Sequence, residues 1–191
     1  YFKHTSNDMI AIAKKAKETA EFSFTIKSEN TLSIEIFRKI PLNIGYLLST
    51  LSHLDVRSME IFTLFDGLKY FKIEFAKNID HEEIIDLEEI ITNAFDMTQG
   101  VKLHTIKLLK ENISIDCNHS LTHAEINIQT ANQRGLLAFV MSCFETLSIN
   151  VITAKIHSSK HRVKDSFLIE KHDNLCDNAD KFYNLLLNKE V

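Results

Sequence analysis

Residues 132–156 read NQRGLLAFVMSCFETLSINVITAKI, so a polar turn, one glycine, an apolar helix and a β-branched strand follow one another directly. Leu137, Val140, Phe144 and Leu147 recur at helical spacing. The stretch ahead of the turn, HAEINIQT at 123–130, alternates polar and apolar residues as a strand does. This unit is either a packing unit alone or a small-molecule pocket at the point where the strand ends and the helix begins.

The same order of elements, strand–helix–strand–strand–helix, occurs twice along the chain, with a period of about 90 residues. Strand–helix–strand crossovers are right-handed, which places both helices of each copy on one face of its sheet. We therefore predict an α+β fold of two ferredoxin-like βαββαβ repeats, with antiparallel sheets, helices on one face and a preceding N-terminal helix. The predicted units are 1–22 (linker helix), 23–109 (first repeat) and 110–191 (second repeat).

Several turns support this plan. In the first copy FSFTI and LSIEIF flank the polar turn SEN as a hairpin, Asp66-Gly67 closes a second hairpin, and Asp80 begins a helix. Residues 102–108 are predicted as the fourth strand of the first repeat. Few residues remain after the last helix, so the second sheet is either one strand short or covered at its edge by NISID (112–116). The predicted sheet core comprises Phe71, Ile73, Phe75, Ile126, Ile128, Ile156 and Phe167.

Composition excludes several functional classes. Of 191 residues, 45% are apolar and 25% charged, and the net charge of −4 gives no basic surface for nucleic acid or anionic lipid. No apolar run reaches the roughly 20 residues that span a bilayer. The start, YFKHTSNDM, lacks a signal-peptide plan and an initiator Met, so we expect a fragment of a longer chain. Three cysteines without CxxC spacing fit a reducing, cytoplasmic setting, with Cys143 as a small buried hydrophobe.

The turn NQRG supplies the candidate ligand groups. Gly135 lets the backbone approach a ligand, and N–H groups at residues 135–137 would face its carboxylate. Asn132 and Gln133 would face its polar end, with the opposite wall from residues 149–151, and Gly135→Val should weaken binding with the fold largely intact. DCNH at 116–119 lacks a second cluster to complete a metal site. No catalytic constellation and no metal site are predicted.

The longer stretch NQRGLLAFVMSCFETLSINVITAKIHSSKHRVKDSFLI resembles an ACT domain, and nearly the whole chain resembles the C-terminal ACT pair of bacterial PII uridylyltransferases. The family motif E-R-V-x-D-x-F is kept at Arg162, Val163, Asp165 and Phe167, with His161 in place of the acid. IFTLFDG at 61–67 matches the hairpin of the family's first ACT copy. YFKHTS at the start resembles the segment that joins the family's phosphohydrolase domain to the ACT pair.

Two departures from the family pattern concern the second-copy turn. Asn132 stands where the family has Asp, and Arg134 where it has Pro. Loss of that carboxylate removes a partner for a ligand ammonium group. In addition, the first-copy helix is about five residues shorter than the family's.

The resemblance implies a glutamine-sensing regulatory part of a bifunctional enzyme that transfers uridylyl groups to the PII signal protein and removes them. The catalytic domains, with their Mg²⁺, would lie upstream, and this part would hold no cofactor and no catalytic site. The implied ligand is glutamine or another amino acid, and a homo-oligomer is possible. Two alternatives stay open: an oligomerising ACT pair without ligand, and a regulator of another amino-acid enzyme. The ligand residues expected are Asn132, Gln133, Arg134, Gly135, Leu136, Leu137, Asn150, Asn43 and Ile44.

Overall fold

A computed structural model describes residues 5–159, 161–171, 176 and 179–187 of the chain. These residues form a mixed α+β structure with one antiparallel sheet of eight strands. The strands are β1 (Phe22–Lys27), β2 (Ser33–Arg38), β3 (Val56–Thr63), β4 (Lys69–Phe75), β5 (Ile113–Asp116), β6 (His123–Ala131), β7 (Val151–Ser158) and β8 (Arg162–Glu170). The helices are α1 (Ser6–Glu18), α2 (Ile44–Thr50), α3 (His81–Asn93), α4 (Leu136–Thr146) and α5 (Ala179–Leu186). The α+β class and the antiparallel pairing are as predicted.

The strand order is β1-β2-β4-β3-β7-β8-β6-β5. β3 and β7 pair in the middle, with Ser58 opposite His157 and Phe62 opposite Thr153. Each of these strands would otherwise be a sheet edge with a row of unpaired backbone groups, and their pairing removes both edges. The N-terminal half (β1–β4) and the C-terminal half (β5–β8) thereby share one continuous sheet.

The outer edges of the sheet differ in part from the prediction. Residues 102–108 form no strand, and the position beside β2 is taken by β1, the first arm of the FSFTI–LSIEIF hairpin. The prediction of a fourth strand at 102–108 is therefore wrong, because a short turn lets β1 pair with β2 at once. At the other edge β5 covers β6, which selects the second of the two predicted alternatives, cover by NISID.

The two faces of the sheet are covered differently. Apolar residues of α2, α3, α4 and α5 pack on one face in the main core, and all seven predicted core residues are buried there (Phe71, Ile73, Phe75, Ile126, Ile128, Ile156 and Phe167). Helix α1 packs on the opposite face, where Ala16 meets Phe37, Leu68 and Tyr70. Helices α2 to α5 thus share one face of the sheet, and among the described helices only α1 lies on the other.

Local sequence signals account for the ends of several elements. Thr5 caps α1 and Asp80 caps α3, each through a reciprocal capping box with the residue three positions later. Asp66 and Gly67 both have positive φ, 53° and 71°, which the tight hairpin between β3 and β4 requires. None of the helices in the described part of the chain has the length and apolar character to cross a membrane.

One covalent link differs from expectation. Cys117 and Cys176 form a disulfide bond that ties the segment after β5 to the segment before α5. Disulfides form and persist mainly in oxidising environments, so this bond does not support the reducing setting inferred from cysteine spacing. Cys143 is free and buried on α4, as predicted, and burial raises the pKa of its thiol to about 12.

Candidate ligand-binding site

The turn NQRG connects β6 to α4, as the sequence predicts. Gly135 precedes the first residue of the helix with a left-handed φ of 79°. A residue with a Cβ is strained in that conformation, which explains why glycine stands here. The backbone N–H of Leu136 donates to the carbonyl of Gln133 at 3.0 Å, so the turn is closed by its own backbone.

Helices α2 and α4 lie side by side in opposite directions. A Cβ built on Gly45, at the start of α2, would lie 2.5 Å from Ser142 Oγ, near the end of α4. At the other end of the pair, Arg134 Nε donates to the carbonyl of Ser52 at 3.1 Å, which joins the start of α4 to the end of α2. Glycine at position 45 permits this close approach of the two helices.

At one end of this helix pair, the chain supplies its own carboxylate. Glu145, near the end of α4, lies against the start of α2, where the backbone N–H groups of Gly45 and Ile44 face its carboxylate without ordinary hydrogen-bond geometry. Partial burial raises the pKa of Glu145, and these two N–H groups oppose the rise. A carboxylate is stabilised at a helix start by the helix dipole and by N–H groups without helical partners.

At the opposite end there is a cavity instead. Helix α2 has 7 residues and α4 has 11, so α2 stops about one turn short of the start of α4. A cavity of about 60 Å³ lies there, between the end of α2, the turn NQRG and strands β7 and β8. We call it the helix-end cavity; its lining includes Leu48, Leu51, Ser52, Asp55, Asn132, Gln133, Arg134, Gly135, Leu136, Leu137, Ile156, Val163 and Asp165.

Asp165 is a buried carboxylate in the wall of this cavity. It lies on β8 in the same alternating set as Val163, Phe167 and Ile169, which are all buried in the core, and it is only 1% exposed. Neither of its carboxylate oxygens has a hydrogen-bond partner of ordinary geometry in the described part of the chain. Burial raises its pKa to about 7, and the nearby backbone N–H of His157 opposes the rise.

The segment between α3 and β5 covers the edge of the cavity. The His104 ring lies against Gly135, and its Nε2 is 3.2 Å from Ser52 Oγ. The Gln133 amide holds the same segment in both directions, since its Oε1 accepts from Lys107 N–H at 3.0 Å and its Nε2 donates to the Lys107 carbonyl at 2.9 Å. Gln133, which is expected to contact a ligand, thus also holds the segment that covers the edge of the cavity.

The predicted ligand residues fall into two places. Asn132, Gln133, Arg134, Gly135, Leu136 and Leu137 all line the helix-end cavity. Asn150 does not line it, and its side chain instead contacts Lys69 and Glu170. Residues 149–151 follow α4, and the helix separates them from the turn by roughly 16 Å at 1.5 Å per residue. The facing wall comes from β7 and β8 instead.

Asn43 and Ile44 lie at the start of α2. Asn43 caps the helix by accepting from Tyr46 N–H at 2.8 Å, and its amide donates to the Gln99 carbonyl at 3.0 Å. The Ile44 N–H faces the Glu145 carboxylate described above. In the N-terminal half, therefore, groups of the chain itself lie against both residues that the sequence predicts to bind a ligand.

Asp165 was not among the ligand residues that the sequence predicted, although it belongs to the motif at residues 162–167. The signal was available: along VKDSFLIE, position 165 falls in register with Val163, Phe167 and Ile169 on the core side. An acid in the apolar set of a half-buried strand is a candidate functional group. In the described ranges, no three His, Cys, Asp or Glu side chains group as metal ligands.

Comparison with known families gives one match. Residues 122–181, which contain the turn NQRG, α4, β7 and β8, match the family model described as plant bHLH transcription factor, ACT-like domain. The match covers less than half of the chain and indicates an ACT-like regulatory domain in this part. No curated protein matches the chain.

Proposed function

We propose that this chain is a regulatory pair of ACT-like repeats that binds a free amino acid in the helix-end cavity. The observation that carries the proposal is the difference between the two ends of the α2–α4 pair. At one end the Glu145 carboxylate meets the backbone N–H groups of a helix start. At the other end the start of α4 faces a cavity. A ligand carboxylate placed there would reproduce the internal arrangement.

The volume of the cavity sets a condition on binding. About 60 Å³ holds a few waters and is smaller than a free amino acid. Binding therefore requires His104 and the segment around Lys107 to move outward from Gly135 and Gln133. Such a movement gives the ligand a differential affinity for two arrangements of the chain, which is the requirement for allosteric control.

Glutamine is the first ligand to test. The sequence resemblance to the ACT pair of PII uridylyltransferases supports glutamine and a role in balancing uridylyl transfer against uridylyl removal on the PII signal protein. The cytoplasmic setting that the resemblance also implies is at odds with the disulfide between Cys117 and Cys176. In such an enzyme the upstream domains would carry the catalysis and its Mg²⁺. The family match to plant transcription factors supports the ACT-like class and leaves the parent protein open.

A structural role is the second candidate, and the continuous sheet favours it. The backbone pairing of β3 with β7 joins the two halves, and His104 covers the cavity edge. In this alternative, the helix-end cavity is a packing gap between helices of unequal length. A third candidate is an ACT regulator with a different amino acid as ligand.

Isothermal titration calorimetry of the chain against glutamine, glutamate and a panel of other amino acids separates these candidates. The proposal predicts saturable binding of glutamine at millimolar concentration or below. Saturation by a different amino acid would point to another parent enzyme. Absence of heat with every amino acid would leave the structural role.

A further inference from the structure

We infer that Asp165 is the group that selects a ligand with a protonated amine, by pairing its buried carboxylate with the ligand's ammonium group inside the helix-end cavity. This inference rests on the proposed function for the location of the ligand. It adds a second recognition element opposite the start of α4, and it defines the ligand class as a primary amine that also carries a carboxylate.

The Asp165 carboxylate is buried and lacks hydrogen-bond partners in the described part of the chain. Asp165 is 1% exposed, and neither oxygen has a hydrogen-bond partner of ordinary geometry in the described part of the chain. A buried polar group without a partner is costly, and a charged one more so. A ligand that supplies the missing donors would offset this cost. An ammonium group offers three donors and the opposite charge.

Asp165 and the start of α4 line the cavity from different elements of the fold. Asp165 reaches the cavity from β8, whereas Gly135 and Leu136 reach it from the start of α4. The two sides therefore offer a negative group and a helix start, which suit the ammonium and the carboxylate of one zwitterion.

The other charged groups around the cavity do not replace Asp165 in this role. Asp55 and Arg134 line the cavity, and both are exposed to solvent. His104 is likewise exposed, at the edge of the turn. In the part of the chain that the structure describes, Asp165 is the buried carboxylate of the lining.

Binding of an ammonium group also has a proton signature. The pKa of Asp165 is raised to about 7 by burial, so part of its population is protonated at neutral pH. A cationic ligand favours the ionised form and would release that proton on binding. The heat of binding would therefore depend on the ionisation enthalpy of the buffer.

The test uses three probes with the 191-residue chain, its Asp165→Asn variant and an Asp86→Asn control on the exposed surface of α3. The probes are glutamine, its analogue without the amine (4-carbamoylbutanoate) and its analogue without the carboxylate (4-aminobutanamide). Calorimetry is run at about pH 7 in two buffers of different ionisation enthalpy, with ammonium and potassium chloride as competitors.

The inference predicts that the parent binds glutamine at least about tenfold more tightly than the amine-free analogue. Asp165→Asn should lose this preference and the proton release, and Asp86→Asn should keep both.

Equal binding of both acids by the parent, or unchanged glutamine binding in Asp165→Asn, would overturn the inference while leaving an acid-binding cavity intact. If the parent binds only the carboxylate-free amine and Asp165→Asn does not bind it, Asp165 is supported as the group that pairs with the amine, and an amino acid is refuted as the ligand. Competition by the inorganic cations at equal concentration would make the site a simple cation site, and no binding of any probe would refute both proposals.

Discussion

At the scale of single residues, Gly135 and Asp165 have the least ordinary environments in the helix-end cavity. Gly135 has a left-handed φ of 79°, and the His104 ring lies where its Cβ would be. Asp165 places a carboxylate among apolar side chains of the core. Asp165 costs stability relative to an apolar core residue, and buried acids of perturbed pKa concentrate at functional sites.

Replacement of Asp165 by Asn should stabilise the protein at alkaline pH. The folded pKa is about 7, whereas an unfolded Asp titrates near about 3.9. Between these values the folded state binds more protons, so the contribution of Asp165 to the free energy of unfolding falls as pH rises and then levels off. Each pKa unit corresponds to about 1.4 kcal/mol. Melting temperatures should therefore favour Asp165→Asn at about pH 8, and the difference should shrink towards about pH 4.

The exposed Asp86→Asn variant is the control for that measurement, because surface substitutions usually change stability by less than about 0.5 kcal/mol. A constant difference between Asp165→Asn and the parent across the pH range would show that Asp165 is ionised throughout and has a partner.

Gly135 and Gly67 form a matched pair for separating backbone strain from crowding. Both have positive φ, 79° and 71°, but a Cβ on Gly67 meets nothing within 4 Å, whereas one on Gly135 lies 2.5 Å from His104 Cδ2. Gly67→Ala should cost about 1–2 kcal/mol through strain alone. Gly135→Ala should cost more in urea denaturation, and His104→Ala should recover the excess. The same strain and crowding predict that Gly135→Val also destabilises the fold, which differs from the sequence-based expectation of a largely intact fold.

Equal costs at the two glycines, or strictly additive effects of Gly135→Ala and His104→Ala, would show that the His104 ring does not lie on the turn. Additivity is the expected behaviour of residues that do not touch.

At the scale of elements, hydrophobic alternation and turn chemistry are sufficient to predict most strands and helices. The sets that include Ile126, Ile128 and Phe167 are buried as predicted, and the Asp66-Gly67 turn closes its hairpin. Residues 102–108 were also predicted as extended and form no strand, because β1 already pairs with β2 at that edge of the sheet. The length difference between α2 and α4 is visible in sequence, but the cavity that it leaves depends on how the helices dock.

Ile126→Asp tests the assignment of β6. Ile126 is fully buried between Ile115 on β5 and Phe167 on β8 in the strand register. An unpaired charge there should cost on the order of 3–5 kcal/mol of unfolding free energy. Gln129→Asp, at an exposed position of the same strand, should change stability little. Similar melting temperatures for both variants would contradict the orientation of β6.

At the scale of the whole molecule, the pairing of β3 with β7 fixes how the two halves meet and therefore where α2 and α4 lie. The helix-end cavity is a product of that docking, since one side comes from the N-terminal half and the other from the C-terminal half. Sequence patterns within each half cannot show it. The disulfide is also a whole-molecule feature, because Cys117 and Cys176 are 59 residues apart.

Thiol titration in denaturant checks the covalent structure. Without reductant the chain should show one reactive thiol, Cys143, and with reductant all three. Cys117→Ser should destabilise the oxidised protein by about 2–4 kcal/mol, because the bond restricts the unfolded chain. The same substitution should have little effect on fully reduced protein. Three reactive thiols without reductant would exclude the bond and restore the case for a reducing compartment.

The central claim, that an amino acid binds between the end of α2 and the start of α4, is tested most directly by two-dimensional ¹H–¹⁵N NMR of the chain during titration with glutamine. The account predicts saturable shifts of the amides of residues 48–56, 132–138 and 163–165, together with His104 and Lys107 as the covering segment moves. Amides of α1, on the opposite face of the sheet, should remain unchanged. Shifts centred on α1 would contradict the claim. So would the absence of any shift at millimolar concentrations of glutamine and of each other amino acid.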